Sequence, residues 1–357
     1  MERKVQLKPT YKIPSLKEIK KIPLNGYKAV STFSGCGGSS LGYKLAGFEM
    51  LWANEFIESA QEVYRLNHPT THLNPADIRE LTPEAVLEQI GLKRFELDLF
   101  DGSPPCASFS TAGKRHHHWG KDKKYSDTVQ RTDDLFFEYA RLIEGIQPKV
   151  FIAENVSGLV KGTAKGYFKE IITHLKSLGY DVACKLLNAK WLGVPQSRER
   201  TIFVGVRKDL GLKPVHPKPL PYLYSINDAL PNLKSRKQNY LVEEEAFRFI
   251  QTPCYANEWE KLKIGQTSQK FYQFVKVNPN KPITTITATN ARSASQVHPY
   301  EKRKFAIAEL KKLSSFPDDF ILKGNYQEQW ERIGRAVPPM MMYHVAKTVQ
   351  KEILDKL

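Results

Sequence analysis

The sequence predicts an α/β protein: an open, largely parallel sheet with helices on its faces, followed by a smaller, irregular domain. Three observations carry this expectation. Short apolar runs alternate with helical periodicities from about residue 27 to 206. A glycine-rich turn, Ser34-Gly35-Cys36-Gly37-Gly38, follows the first run and precedes a helix. Beyond about residue 225 the alternation gives way to a polar, aromatic stretch rich in Asn, Gln, Lys and Thr. At 357 residues, 41% hydrophobic and 26% charged, the chain is globular and has ample core for one large domain or two unequal ones.

Residues 1–26 are a basic lead-in broken by Pro9, Pro14 and Pro23, and without an apolar stretch they do not read as a secretory leader. Tyr27 to Phe33 is a strand, and the glycine turn after it lets backbone approach a ligand closely. The turn is not a full G-x-G-x-x-G and lacks the lysine of a phosphate loop. A helix runs to Ala46 and a second strand covers Phe48 to Ala53. Glu55 ends it, where nucleotide-binding α/β folds keep a carboxylate for ribose hydroxyls. A nucleoside-type cofactor is therefore expected. A helix follows from Ile57 to Leu66. Asp77, in Pro75-Ala76-Asp77-Ile78, either ends a third strand, where it can accept from an adenine amino group, or caps a helix.

The apolar run Leu97 to Phe100 leads into Asp101-Gly102-Ser103-Pro104-Pro105-Cys106. The prolines stiffen the turn and deny it helix. A cysteine on a rigid loop past a strand end suits a nucleophile better than a packing role. The other cysteines, Cys36, Cys184 and Cys254, are far apart and form no C-x-x-C pair, so neither zinc nor disulfides are expected. Lys114 through Lys124 reads as a long mobile loop containing His116, His117 and His118. With no flanking acid or cysteine at ligand spacing, these histidines suit a lid that meets phosphate or DNA better than a metal site.

Leu135, Tyr139, Leu142 and Ile146 mark a helix that Pro148 ends, and strand Val150 to Ala153 delivers Glu154-Asn155. A glutamate directly after four apolar residues is costly if it is buried without a purpose, and burial makes it a candidate proton carrier. A helix from Phe168 to Leu178 and a strand from Val182 to Leu187 follow. Then Gln196-Ser197-Arg198-Glu199-Arg200 enters strand Thr201 to Val206. Alternation at strand period puts Arg198 and Arg200 on one face, suited to carbonyls, phosphates or carboxylates. Prolines 214, 217, 219 and 221 mark a linker over 208–224. Thr284 to Thr289 looks like a strand, Lys304 to Leu313 a helix, and Met341, Val345, Val349 and Ile353 stripe a last helix that returns to the first domain.

In an open α/β sheet, ligands bind beyond the carboxyl ends of the strands. The glycine turn, Glu55, Asp77, Cys106 and Glu154 all follow strand-like runs, so they are expected on one edge. The net charge of +16 points to a polyanionic partner, nucleic acid first. No run is apolar and long enough to cross a membrane.

From about Lys28 to the C-terminus the chain resembles the cytosine-C5 DNA methyltransferases. The ordered set carries the likeness: Phe33-Ser34-Gly35-Cys36-Gly37-Gly38, Asn54-Glu55, Pro104-Pro105-Cys106, Glu154-Asn155-Val156, Gln196 to Arg200, Phe316-Pro317-Asp318 and Gly334 to Pro339. The resemblance implies a Rossmann-like, S-adenosyl-L-methionine-dependent methyltransferase sheet and a smaller target-recognition domain. It implies a lead-in (1–26), a catalytic and cofactor domain (27–224), a target-recognition domain (225–303), a hinge segment (304–333) and a returning C-terminal helix (334–357). Cys106 would add to C6 of a flipped-out cytosine. Glu154 would serve N3, and Arg200 with Arg198 would bind near O2. Phe33, Ser34, Gly35, Gly37, Gly38, Glu55 and Asp77 would hold the cofactor, with Phe33 stacking on adenine. The implied partner is double-stranded DNA, met by a cytoplasmic monomer that protects DNA alongside a restriction endonuclease without binding it stably. Four positions depart from the family's usual residues: Ala107 for Gln, Ser103 for Gly, Arg335 for Asn and Ala308 for Arg. The rival expectations are an RNA (tRNA) cytosine-C5 methyltransferase of the same fold, an inactive DNA-binding homologue, and a nicotinamide or flavin enzyme.

Overall fold

Alternating apolar runs in the first half of the chain assemble into one seven-stranded sheet, seen here in a computed structural model. It describes residues 8–105, 134–160, 165–235, 240–271, 273–293 and 295–357, with the backbone of 123–125 and 128–130. Cys106, Ala107 and His116 to His118 lie outside the described residues. The chain forms two compact units. The sheet unit comprises residues 21–187, 199–218 and 342–357, and the second unit 1–20, 188–198 and 219–341.

After a short helix α1 (Leu16–Ile19) in the second unit, the sheet unit begins with β1 (Lys28–Thr32), α2 (Gly38–Leu45), β2 (Glu49–Asn54), α3 (Glu58–Asn67), β3 (His72–Asn74), α4 (Pro83–Ile90) and β4 (Leu99–Gly102). A short hairpin, β5 (Lys123–Tyr125) and β6 (Thr128–Gln130), occupies part of the stretch expected to be loop. Then come α5 (Leu135–Ile146), β7 (Val150–Val156), α6 (Lys165–Ser177), β8 (Tyr180–Asn188), the two-residue β9 (Gln196–Ser197) and β10 (Glu199–Arg207). The strand order is β3-β2-β1-β4-β7-β10-β8. Pairs from β3 through β7 are parallel, and β10 runs antiparallel to β7. This is the open, largely parallel sheet that the sequence predicts.

The central parallel strands β1, β4 and β7 are buried on both faces, while the edge strand β3 stays partly exposed. Leu135, Tyr139, Leu142 and Ile146 point from α5 into a core with Val30, Phe100, Phe151 and Phe203. Fully burying each such side chain stabilises the fold by roughly 1.5–3 kcal/mol. Tyr139 also donates its hydroxyl to the carbonyls of Phe100 and Ile152, at 3.3 and 2.9 Å, and so staples β4 to β7. Residues 342–357 belong to this unit, with Met342, Val345, Val349 and Ile353 buried and Tyr27 donating to Asp355.

The second unit is built from short pieces. Helices α7 (Ile226–Ala229), α8 (Glu244–Gln251), α9 (Pro253–Lys261), α10 (Ile307–Leu313) and α11 (Tyr326–Arg335) accompany β11 (Val275–Lys276), β12 (Ile283–Thr284) and β13 (Gln296–Val297). The last helix, α12 (Pro339–Glu352), begins in this unit and continues into the other. Thr284 to Thr289 is not one strand: β12 pairs with β9 for two residues, and a 3-10 turn starts at Ala288. The segment 304–333, expected as a hinge, supplies core instead. Phe305, Ile307, Leu310, Leu313, Tyr326 and Trp330 pack there with Ile226, Leu233 and Ile286. Residues of the lead-in anchor here too, through Lys8 with Asp228 and the Leu16 backbone with Asp319.

Candidate active site

The parallel register sets the carboxyl ends of β1, β2, β4 and β7 along one edge of the sheet. Because β10 runs the other way, its starting end, with Arg200, lies on that same edge. Four groups gather there: the glycine turn after β1, Glu55 after β2, the Ser103-Pro104-Pro105 turn after β4, and Glu154 near the end of β7.

The glycine turn is held by its own backbone and by Glu55. Ser34 accepts from the Gly37 N–H and donates its hydroxyl to the Ser31 carbonyl. Gly37 opens α2 in the left-handed region, φ +89°, and a Cβ there would lie 2.1 Å from Nε2 of the buried His68. Only glycine fits. Gly35 also has positive φ, but a Cβ on it would meet nothing within 4 Å. The turn is thus closed beneath Gly37 and open above Gly35. Phe33, half-buried, has φ +52°, a conformation uncommon for an aromatic residue and a mark of functional sites. Glu55 accepts from the Gly35 N–H at 2.7 Å and the Ile57 N–H at 2.8 Å, which fixes its carboxylate between the turn and the start of α3.

Asp77 does not end a strand, since β3 stops at Asn74. It caps a 3-10 turn over Ile78–Glu80, accepting from the Arg79 N–H, and pairs with the Arg79 guanidinium, which also reaches Asp134.

Glu154 and Arg200 form an ion pair, Nε to Oε1 2.6 Å. The pairing of Ile202 with Glu154 makes Arg200 the diagonal neighbour on the same face of the β7–β10 ladder. Both side chains are mostly buried. A carboxylate and a guanidinium placed this way present a proton carrier and a fixed donor side by side. Asn155, which sequence reasoning gave no role, donates from Nδ2 to the Pro104 carbonyl at 3.1 Å. It thereby fixes the turn that leads to Cys106. Its place directly after the candidate acid was the available signal.

Arg198 requires a correction. It does not share a face with Arg200, because the strand breaks between β9 and β10 and Arg198 falls in the break. Its buried guanidinium donates to the carbonyls of Ile286 and Gly334, both at 2.9 Å, and to that of Arg335, all within the second unit. It acts there as a structural tie. Arg335 itself pairs with Glu331 one turn earlier in α11. Among the described residues, no cluster of His, Cys, Asp and Glu is arranged to hold a metal, and no helix is long and apolar enough to cross a membrane.

The family described as C-5 cytosine-specific DNA methylase matches residues 27–351. The chain belongs to that family. It is a DNA (cytosine-5-)-methyltransferase. Type II methyltransferase M.NgoPII of Neisseria gonorrhoeae is 30% identical over 92% of this chain and 97% of its own length. Type II methyltransferase M1.HphI of Haemophilus parahaemolyticus is 31% identical over 90% and 86%. A DNA modification methyltransferase encoded within an Escherichia coli prophage shares the fold. Its TM-score is 0.72 at 22% identity, over 92% of this chain and 100% of that one. Spodoptera frugiperda DNMT2 is similar in fold alone, with TM-score 0.63 at 19% identity, over 91% and 100%. Of the ordered motifs, the glycine turn, Glu55, Pro104-Pro105, Glu154 and Arg200 lie on the edge just described, whereas Phe316-Pro317-Asp318 and Gly334 to Pro339 belong to the second unit.

Proposed function

We propose that this DNA methyltransferase transfers a methyl group from S-adenosyl-L-methionine to C5 of a cytosine flipped out of a specific duplex sequence, through a covalent Cys106–C6 adduct. The observation that carries the reading is the Glu154–Arg200 pair, 2.6 Å apart, on the edge where β4 leads into Ser103-Pro104-Pro105, the residues that precede Cys106 in the chain. The glycine turn fits the cofactor: it is open above Gly35, with the Glu55 carboxylate bonded to the Gly35 N–H and Phe33 two residues before it in the chain. When bound, S-adenosylmethionine supplies an electrophilic methyl group on a sulfonium. Phe33 would stack on its adenine, Glu55 would accept from the ribose hydroxyls, and the backbone from Ser34 to Gly38 would cradle the remainder. Asp77, although it caps the 3-10 turn and pairs with Arg79, would accept from the adenine amino group through a remaining lone pair.

C5 of cytosine is a weak nucleophile within an aromatic ring. The Cys106 thiolate adds to C6, and the C5–C6 π pair moves to C5. Glu154 delivers a proton to N3, which draws the addition forward, while Arg200 holds O2 and keeps Glu154 oriented. C5 would then form a bond to the methyl carbon as that carbon's bond to the sulfonium breaks, leaving the neutral thioether S-adenosylhomocysteine. A water molecule removes the C5 proton, the C6–S bond breaks, and Glu154 recovers the N3 proton. The target atom is inaccessible in a stacked duplex, so the base leaves the helix. Residues 225–303 read the sequence, and the 114–131 segment closes over the flipped base. The enzyme works as a monomer and protects DNA in a restriction-modification system, with no stable complex with the endonuclease.

The test is methyl transfer from labelled S-adenosylmethionine to unmethylated genomic DNA and to total tRNA, with base-resolution sequencing. Label at C5 in one short recurrent DNA sequence is expected; label in tRNA alone would change the substrate to RNA. DNA carrying 5-fluorocytosine should trap the wild type covalently, since fluorine at C5 blocks the final elimination. Cys106→Ala should bind cofactor yet form no adduct and turn over at least 10⁴-fold more slowly, on the order of losses seen when a nucleophile is removed.

A further inference from the structure

Asp101 lies at the last-but-one position of β4, fully buried, beyond every role assigned above. Its carboxylate accepts from Ser31 Oγ and from Tyr43 Oη, each at 2.8 Å. Ser31 is on β1, in register with Asp101 and two residues before Phe33. Tyr43 is on α2, the helix that leaves the glycine turn. Asp101 itself precedes the Gly102-Ser103-Pro104-Pro105-Cys106 turn. One buried acid thus ties together the strand entering the cofactor turn, the helix leaving it, and the strand that delivers the nucleophile. A burial this deep is costly unless it does something that an apolar residue of similar size would not.

We propose that Asp101 is a positioning residue for methyl transfer, its ionised carboxylate locking β1 and α2 to β4 so that methyl donor and Cys106 are held in register. The inference rests on the cofactor and nucleophile reading above. The lock is complete only in the ionised form, which accepts both hydroxyls; a protonated acid must turn one of them round. Burial pushes this carboxyl up to about 7, against the pull of the Ser31 and Tyr43 hydroxyls, and the charge of Glu154 pushes the same way. The other titratable groups around it are Tyr43 on α2, Tyr64 on α3 and Tyr139 on α5, each raised above the ordinary tyrosine value by burial, and Arg200 behind Glu154. None of the tyrosines changes charge near neutrality.

The sign of the linkage separates this role from a merely structural one. The folded pKa lies above the ordinary carboxylate value, so the native state holds a proton that the unfolded chain has released. Stability is then full below about pH 4 and falls as pH rises through about 7. Positioning runs the opposite way and improves over the same window. Asp101→Asn mimics the protonated acid. We expect single-turnover methyl transfer by D101N to match the wild type near pH 6 and to fall about tenfold behind it by pH 8, a loss typical of slight misplacement. Its Kd for S-adenosylmethionine, by calorimetry, should stay within about threefold, and its melting temperature should lose the wild type's decline with pH. A rate ratio that stays flat with pH, or a loss explained by cofactor affinity alone, overturns the proposal. Should D101N not fold, Tyr43→Phe removes one donor only. It should bind cofactor normally and transfer several-fold more slowly at pH 8, and wild-type rates there would equally overturn the lock. A wild type that binds no S-adenosylmethionine would instead sink the cofactor reading beneath it.

Discussion

Gly37 carries two constraints that separate experimentally. Its φ of +89° costs an L-residue about 1–2 kcal/mol, and any Cβ runs into the His68 ring. Burial holds His68 well below the ordinary histidine range, so the ring is a neutral, stacked plate on Tyr64. Gly37→Ala is expected to lower the melting temperature and to weaken cofactor binding at least tenfold, in line with roughly 1.4 kcal/mol or more of lost fit. Adding His68→Ala should relieve the clash and recover part of the stability, but not the part due to φ. Full recovery in the double variant, followed by thermal denaturation and cofactor titration, would show that backbone conformation matters little there. Glycines after a first strand were legible from sequence as a close-approach turn. The ring beneath Gly37 was not, because His68 sits two helices and a strand away along the chain.

At the scale of elements, strands in the sheet unit were readable because burial on both faces leaves unbroken apolar runs. Val150 to Ala153 announced β7, and the helix over Leu135–Ile146 was legible to the residue. Reading failed where pairing partners are remote. Arg198 and Arg200 look alike at period two, yet the strand breaks between them because β9 pairs with β12 while β10 pairs with β7. The two arginines therefore differ in what their loss does. Arg198→Ala strands three carbonyls and should destabilise the fold by about 1–3 kcal/mol, read as a lower denaturation midpoint. Arg200→Ala leaves the buried Glu154 carboxylate unpaired, so it should lower that midpoint too, but unlike Arg198→Ala it should also cut methyl transfer by about 10²-fold or more where the variant is folded. Equal effects of both on turnover at a temperature where both are folded would restore the paired role that the spacing suggested. Thr284 to Thr289 misled for a related reason: β-branched residues favour strand, but only two find a partner, and the Trp330 indole N–H takes the Thr287 carbonyl.

For the molecule as a whole, the net charge of +16 sets how it meets a polyanion. Each phosphate neutralised releases counterions, with a slope of about −0.9 in log affinity against log salt. Binding of a non-target duplex should therefore weaken steeply between low and physiological salt, with a slope near −4 or steeper for about five contacts. A fluorescence-anisotropy titration showing little salt dependence would mean that the basic surface does not face the phosphates. Composition made this property legible, since charge needs no fold to be counted. Segment ownership was not legible. Residues 188–198 and 304–333 read as parts of the catalytic domain and a hinge, yet they belong to the second unit, whose core they fill.

The chain changes unit after Lys20, Leu187, Arg198, Lys218 and Met341. On the ribosome, then, β1 through β8 emerge long before the residues beyond Met341 that complete their packing. A growing chain is a set of unfinished halves until residues 219–357 are made, and only then can both halves close. Evolution by exchange of parts is constrained in the same way: a recombination crossover anywhere between Lys21 and Met341 splits at least one unit between two parents. If residues 225–303 read the target as proposed, new preferences would arise from replacements nested inside 219–341 more readily than from swapping one end of the chain for another.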